Sequence, residues 1–423
     1  LFWRFITRPT DQIRTYTEYA ERGEIFDCRD NLIATNKTVY DIHLDCCVIE
    51  NPKKWEEMSR LLAQSIALVR PEKTAPQWWD YFQDARKNKK RYLPIVKNVD
   101  RSMADTLRTL PLLNERPHNG GCICTSKVVR EYPYGNMARR TIGAFRNSYD
   151  DPLFGIERQL NGDLNGSDGI RKVKTGYRGR RPRQWEIERE EKIDGWDVYT
   201  TICMKHQAAA DSVLRAAVDS DEDIVGGCLV LMEVKTGAIT ALANCHRLDN
   251  AEIGEYYNYA ISHSYEPGEV AQTMTLAAAL SDGIVKSLEE KIPTNHGRLT
   301  DTPAFRDHYI IQYERKNQAD SISVIDGFAL SYRYVTSSLA LKYAQSQDYF
   351  YKWYETFCIN DYNFDLDEMR ELDLVDPIGR NINTLISTGS GYGFTVCPMQ
   401  ILSFYNTIAN NGKMMHPMLI KKM

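Results

Sequence analysis

Residues 265–280, YEPGEVAQTMTLAAAL, join a Glu-Pro-Gly turn to an apolar segment that is typical of a helix. Glu269 follows the turn and Gln272 stands three residues later, a spacing that places two side chains on one face of a helix. A serine and a lysine at this spacing would act as a nucleophile and its base. Here a carboxylate and a neutral amide take those places, and no serine in the chain stands three residues before a lysine.

Glu269 itself has two interpretations. A carboxylate can serve as a nucleophile or a general base, but a hydrolase would need a second polarising group, and the sequence shows none at a suitable spacing. A glutamate in the first turn of a helix is favoured by the helix dipole by about 0.3–1 kcal/mol. Glutamine is a good helix former. The sequence therefore favours a structural role for Glu269 and Gln272.

The composition bounds the class of the protein and its partners. The chain has 423 residues, of which 43% are hydrophobic and 26% are charged, as in a globular protein of two or three domains. Its formal net charge of -4 gives no general attraction to nucleic acid, so no nucleic-acid partner is expected. The ten cysteines form no CxxC pair and the eight histidines no HxxxH pair, so neither a metal nor another cofactor is expected.

The hydrophobic pattern predicts an α+β protein with two domains, residues 1–185 and 186–423. In the first, strands flank a turn within 22–36, and helices that carry core tryptophans follow Asn51 and Thr74. Its last part is interpreted as turns over 155–169 and a solvated, charged linker up to about residue 191. The predicted elements of the second domain are a strand over 198–202, a helix over 207–218 that buries Val213 and Ala217, a hairpin over 226–244, and helices over 324–344 and 398–410.

Five segments, taken in order, resemble class B penicillin-binding proteins, the septal cell-wall transpeptidase kind, and most closely the forms of Bacteroides-like bacteria. They are RGEIFDCRDNLIATN at 22–36, similar to the family pattern RGxIxDRxGxxLA; a Gly-Ile-Glu segment within 140–169; DGWDVYTTICMKHQ at 194–207, with Cys203 where Asp is usual; VLMEVKTGAITALAN at 230–244; and SGYGFTVCPMQILSFYNTIANNGKMMHP at 390–417. The resemblance implies an N-terminal pedestal domain of the dimerisation type. A transpeptidase-like α/β domain, similar to the serine β-lactamases, follows it.

The family's catalytic motifs are S-x-x-K, S-D-N or a variant, and K-T-G. By the resemblance, Glu269 and Gln272 occupy the first motif. An ungapped match places Ser331 and Arg333 in the second, with Arg where Asn is expected, and a shifted match uses residues 336–338 instead. We expect an ion pair between Arg333 and Glu269 across the former cleft.

Two triplets spell KTG, beginning at Lys174 and at Lys235. Both precede the Glu269 helix, whereas the family's third motif follows the GYG segment. Both are therefore interpreted as coincidences, and the true K-T-G strand is expected beyond Met423.

The resemblance implies a homologue of peptidoglycan synthesis and cell division on the periplasmic side of the inner membrane, in a family whose members are membrane-anchored. The altered motifs favour a non-catalytic scaffold or regulator, whose partners would be cell-division or cell-wall synthesis proteins. Two alternatives stay open. One is a transpeptidase-type enzyme that uses unconventional residues such as Ser331 or Ser264, and the other is a module that binds a peptidoglycan stem peptide without covalent chemistry.

Overall fold

A computed structural model describes residues 12–146, 151–178, 181–250, 252–299, 307–358, 366, 373–374 and 381–423. These residues divide into two units, one formed by residues 34–133 and one that combines the residues before 34 with those from 134 onward. No helix in the described ranges is long and apolar enough to cross a membrane.

The helices and strands follow one another along the whole described chain. The strands are β1 Gln12–Glu18, β2 Ile25–Phe26, β3 Leu32–Leu44, β4 Leu93–Val99, β5 Cys122–Glu131, β6 Ala144–Phe145, β7 Pro152–Phe154, β8 Gly169–Arg178, β9 Arg181–Glu190, β10 Val198–Thr200, β11 Gly226–Met232, β12 Ile239–Arg247, β13 Ile253–Gly254, β14 Lys291–Pro293, β15 Ser321–Ser323, β16 Asp373–Leu374, β17 Phe394–Thr395 and β18 Ile420–Lys422. The α-helices are α1 Pro52–Val69, α2 Ala75–Lys87, α3 Arg101–Leu107, α4 Pro117–Gly120, α5 Arg139–Ile142, α6 Gly155–Gln159, α7 Asn161–Asn165, α8 Met204–Asp219, α9 Tyr259–Ser262, α10 Gln272–Ser281, α11 His308–Asn317, α12 Val324–Ala329, α13 Arg333–Leu341, α14 Gln347–Cys358, α15 Ile382–Gly389 and α16 Pro398–Ala409.

Both helices predicted in the unit of residues 34–133 are confirmed. Asn51 caps α1 because its side chain accepts hydrogen bonds from two backbone N–H groups of the first turn. At the start of α2, the side chain of Gln77 accepts a 2.8 Å hydrogen bond from the backbone of Thr74. β3 pairs antiparallel with β4 and β5. Trp55 and Trp78 are buried in the core of this unit, as their helical spacing predicted.

The charged stretch that was predicted to be a linker is instead part of a sheet. β9 pairs antiparallel with β8, and β1 pairs with the other edge of β8. Opposite charges meet across the strands, with Lys172 Nζ 2.7 Å from Glu188 and Arg189 3.5 Å from Glu18. The prediction was wrong because cross-strand partners offset charges that look repulsive along the sequence.

The structure also differs from the prediction before the sheet, and the predicted domain boundary lies inside it. The stretch interpreted as turns contains the short helices α6 and α7. The predicted domain boundary, between residues 185 and 186, falls within β9, and the boundary itself stays a prediction.

The strand, helix and hairpin predicted after residue 198 are confirmed as β10, α8, β11 and β12. Gln207 of α8 fixes the helix on the sheet, since its side chain bonds both the N–H and the C=O of Leu242, at 2.8 and 3.0 Å. Val213 and Ala217, which were predicted to be buried, are exposed; Val213 has a relative exposure of 62%. The buried residues of α8, namely Met204, Gln207, Ala210 and Val218, form one stripe with Ala210 at its edge. At 3.6 residues per turn, Val213 and Ala217 lie beyond that edge and face outward.

The helix predicted over residues 324–344 is broken in two, whereas α16 confirms the one predicted over 398–410. Between α12 and α13, Ser331 adopts a left-handed backbone conformation with φ 53°. Gly327 allows the two short helices to pack closely, because a Cβ there would lie 2.2 Å from a methyl group of Val335. The break therefore depends on the packing of α12 against α13, which no local pattern of hydrophobic residues reveals.

Asp282, at the C-terminal end of α10, fastens that helix to the region of α14. Its carboxylate accepts hydrogen bonds from the hydroxyls of Tyr343 and Tyr349, at 2.6 and 2.9 Å, and from the indole N–H of Trp353, at 2.9 Å. Burial, and then the bond to Asp282, raise the pKa of Tyr343. One carboxylate thus satisfies three donors, and it holds the far end of the helix that begins beside Glu269.

We expect Asp282→Asn to lower the free energy of unfolding by about 1–2 kcal/mol, because one of the two acceptor oxygens becomes an amino group that faces a donor. Chemical unfolding followed by circular dichroism measures the loss. Glu289→Gln, a change of the same chemistry at an exposed position in the following loop, should cost almost nothing. Equal stability of both variants would show that the Asp282 cluster contributes little.

Candidate active site

The Glu-Pro-Gly turn leads into a 3₁₀ turn, Gly268–Ala271, which continues directly into α10. Glu269 lies in the first turn of this helical segment, as predicted, and its side chain is exposed. Gln272, one turn later, is buried, with a relative exposure of 1%. Glu269 therefore presents a hydrogen-bond acceptor to solvent, whereas Gln272 places a neutral amide in the interior.

The segment around Gly391 holds the turn in place from the opposite side. The N–H of Gly268 donates to the carbonyl of Gly391 at 2.8 Å, and the N–H of Gly393 donates to Glu266 Oε1 at 2.8 Å. Gly391 has φ 92°, and a Cβ there would lie 1.8 Å from the carbonyl oxygen of Gly268. Only glycine fits this approach, so the GYG sequence positions the start of α10.

Gln272 is the residue that the resemblance matches to the lysine of the first motif. Its Nε2 atom is buried without a hydrogen-bond partner among the described residues. Nearby on the same helix, the hydroxyl of Thr275 donates to the carbonyl of Gly389 at 2.9 Å and lies 2.6 Å from the hydroxyl of Tyr354. A neutral amide costs much less to bury than an ammonium ion, and an amide cannot accept a proton from a nucleophile at neutral pH.

Ser331 and Arg333, the positions matched to the second motif, are both exposed and lie at the start of α13. The expected ion pair between Arg333 and Glu269 is not formed, and that prediction was wrong. The guanidinium instead lies over the ring of Tyr392, 5.7 Å from the ring centre. An exposed ion pair contributes only about 0–1 kcal/mol, so a cation–π contact of similar strength competes with it.

A cavity of about 330 Å³ opens beside Arg333 and Tyr392. Its other polar lining residues are Asp307, His308, Ser337, Ser387 and Ser390. Ser337, which belongs to the shifted match of the second motif, is buried and donates to the carbonyl of Ile386 at 3.2 Å. Ser390 opens the SGYG segment, whereas Asp307, His308 and Ser387 could not be singled out from the sequence because they belong to the α11 and α15 regions and lie in no motif.

The two KTG triplets lie in a strand and in a hairpin turn. Lys174 lies in β8, with its ammonium group 5.8 Å from the ring centre of Trp185. Lys235 lies in the turn between β11 and β12, where the hydroxyl of Thr236 donates to Glu233. Across the described ranges, no group of three His, Cys, Asp or Glu side chains could hold a metal ion. The described part of the site therefore consists of the start of α10 at Glu269, Arg333 stacked on Tyr392, and the cavity beside Arg333.

Comparison with known proteins identifies the family. Residues 17–152 match the model of the penicillin-binding protein dimerisation domain, and residues 227–423 match that of the penicillin-binding protein transpeptidase domain. The chain is 22% identical to the peptidoglycan D,D-transpeptidase FtsI of Buchnera aphidicola over 95% of its own length and 66% of that protein. It spans about half to two thirds of the length of the first curated relatives that it matches.

Solved structures share the fold. The complex between the penicillin-binding protein PBP2 and MreC from Helicobacter pylori aligns with a TM-score of 0.68 and 16% identity over 97% of this chain and 78% of that chain. Penicillin Binding Protein 2X from Streptococcus thermophilus aligns with a TM-score of 0.67 and 19% identity over 96% of this chain and 61% of that one. The chain therefore belongs to the class B penicillin-binding proteins, which join a dimerisation domain to a transpeptidase domain.

Proposed function

We propose that this protein is a non-catalytic penicillin-binding-protein homologue that acts as a scaffold or regulator in peptidoglycan synthesis and cell division. The observation that carries the proposal is the pair at the start of α10. Glu269 is exposed where a nucleophilic serine would stand, and Gln272 is buried where its lysine base would stand. A carboxylate and an amide at these positions cannot perform the serine and lysine proton transfer that acyl transfer needs.

The surroundings of this pair support the same proposal. The turn before α10 keeps its hydrogen bonds to the GYG segment, so the framework persists while the reacting groups differ. Arg333, at the position of the second motif's asparagine, stacks on Tyr392. A transpeptidase fold that lacks the reactive residues of the first two motifs suits a protein that acts by binding other proteins.

We place its partners among cell-wall synthesis and cell-division proteins on the periplasmic side of the inner membrane. The similar PBP2 structure was solved as a complex with MreC, which supports a protein partner in general. The relatives named as peptidoglycan D,D-transpeptidases support a cell-wall role.

An enzyme with unconventional residues has less support. Ser331 is exposed, but its hydroxyl makes no hydrogen bond to a base among the described residues. Ser264 is worse placed, since its hydroxyl is buried without a partner there. A serine hydroxyl needs an adjacent base to attack a carbonyl.

A binding module is the second candidate, and the cavity beside Arg333 favours it. A guanidinium at the mouth of a polar cavity of about 330 Å³ suits the carboxylates of a stem peptide. Calorimetry with a muropeptide would separate the candidates. A pure scaffold gives no heat of binding, whereas a module binds, and Arg333→Ala weakens that binding.

The decisive test is covalent labelling with a fluorescent penicillin, read by denaturing gel and intact mass. We expect no adduct on the unmodified chain, because neither Ser331 nor Ser264 has a base beside it among the described residues. A catalytically active penicillin-binding protein labelled in parallel shows that the reagent works. A covalent adduct on any residue of the unmodified chain would contradict the proposal that the protein is non-catalytic.

A matched set of variants locates the loss of chemistry. Glu269→Ser/Gln272→Lys/Arg333→Asn restores the residue types of the first two motifs, and Glu269→Ala/Gln272→Ala changes the same helix start without restoring them. Labelling of the first variant alone would show that these positions are where the chemistry is missing.

A further inference from the structure

Two cysteines that are far apart in the sequence meet between the β2–β3 turn and the start of α8. The backbone N–H of Cys28 donates to the carbonyl of Ile202 at 2.8 Å, directly before Cys203. On the neighbouring residues, the carboxylate of Asp27 accepts from the N–H of Met204 at 3.4 Å. This backbone contact places Cys28 beside the residue that precedes Cys203.

The two side chains also face each other. Besides burial, which opposes the ionisation of both, the two thiols act on each other: Cys203 raises the pKa of Cys28, and Cys28 helps to lower the pKa of Cys203. Cys203 is buried, with a relative exposure of 2%, whereas Cys28 is only partly buried. A small disulfide molecule therefore has a route to the pair through the side of Cys28.

The pair is chemically unequal. Cys203 is the residue directly before α8. Burial opposes its ionisation, but the backbone N–H groups of His206 and Lys205 face the sulfur and outweigh burial, so the pKa of Cys203 is lowered. Burial, and then the neighbouring Cys203, raise the pKa of Cys28. Cys203 is thus the better thiolate, and Cys28 stays a thiol beside it.

We propose that Cys28 and Cys203 form a redox-active dithiol that a disulfide-bearing oxidant converts to an intrachain disulfide. The Cys203 thiolate attacks one sulfur of the oxidant, and a mixed disulfide forms as the first thiolate leaves. Cys28 loses its proton and attacks the Cys203 sulfur, and the second thiolate leaves. The two leaving thiolates take up two protons, so two protein thiols are oxidised and one external disulfide is reduced to two thiols.

The bond would fasten the β2–β3 turn to the start of α8, beside the short parallel pairing of β2 with β10. A cross-link between residues so distant in sequence constrains the unfolded chain strongly, and disulfides persist in the oxidising compartment proposed above. The inference goes beyond the proposed function, because it concerns thiols outside the former cleft. Only the persistence of the disulfide in the cell rests on the compartment proposed there.

The test is equilibration of the reduced full chain with oxidised and reduced glutathione, followed by alkylation, digestion and mass spectrometry. We expect a peptide that links Cys28 to Cys203 to form before any other cysteine is oxidised, together with the loss of two alkylatable thiols. Oxidation should also raise the midpoint of thermal unfolding. Absence of the linked peptide in an excess of oxidised glutathione overturns the proposal.

Two variants divide the roles of the cysteines. Cys28→Ser removes the resolving thiol and should accumulate glutathione on Cys203. Cys203→Asp provides a good capping residue for α8, and it should leave Cys28 reduced and the unfolding midpoint independent of oxidant. Glutathione spread evenly over the other cysteines of Cys28→Ser would also overturn the proposal, since it would show that Cys203 has no special reactivity.

Discussion

Arg22→Ala is expected to lower the free energy of unfolding by about 3–5 kcal/mol. The guanidinium donates to Glu157 Oε2 through Nε and Nη2, at 2.9 and 2.6 Å, and both side chains are buried. Its remaining nitrogen donates to the side-chain oxygens of Asn161 and Asn165, at 2.8 and 2.5 Å. Removal of the arginine leaves the Glu157 charge in the interior with much of its compensation gone, and urea unfolding at neutral pH measures the cost.

Two controls separate burial from charge. Arg189→Ala removes an exposed arginine that lies 3.5 Å from Glu18, and we expect a loss of only about 0–1 kcal/mol. The double variant Arg22→Met/Glu157→Leu removes both buried charges and should recover much of the stability that Arg22→Ala loses. A double variant no more stable than Arg22→Ala would mean that packing around Arg22, and not the stranded carboxylate, dominates.

The second large effect is a dependence of stability on pH that Glu255 causes. Burial, and next the negative charge of Asp211, raise the pKa of Glu255 to about 7, although backbone N–H groups of Arg140 and Asn244 and the charge of Arg215 oppose the rise. The N–H of Arg140 donates to Oε2 at 2.9 Å, and Oε1 is buried without a partner among the described residues. The folded protein therefore favours the neutral carboxyl.

The sign follows from the two pKa values. An ordinary glutamate titrates at 4.5, so between that pH and about 7 the folded state binds more protons at this site than the unfolded state. The stabilisation is complete below pH 4.5 and is lost as the pH rises through 7. We expect about 3 kcal/mol of stability to disappear over this window.

Urea unfolding of the wild type and of Glu255→Gln at several values between pH 4.5 and 8 tests this prediction. The glutamine keeps an oxygen that can accept from the Arg140 backbone but cannot ionise, so the difference in stability between the two proteins should change by about 3 kcal/mol across the window. Glu252→Gln, a neighbouring exposed carboxyl, should follow the wild type. Parallel pH profiles for the wild type and Glu255→Gln would contradict the assignment.

The sequence by itself determined the features that depend on neighbours along the chain. The capped start of α1 at Asn51 and the β11–β12 hairpin follow from local patterns of turn and apolar residues. The family could be identified for the same reason, since five ordered segments keep their residue types. The same patterns placed Glu269 and Gln272 at a helix start, as the structure confirms.

Only the tertiary structure decided which of these elements meet. Arg333 stacks on Tyr392 instead of pairing with Glu269, and β9 is a strand because β8 supplies its partners. The contacts of Arg22 with Glu157 and of Cys28 with Cys203 join residues more than a hundred positions apart. Side-chain partners of this kind are fixed by the packing of whole elements against one another, and the energy of that packing is not written in any local stretch of sequence.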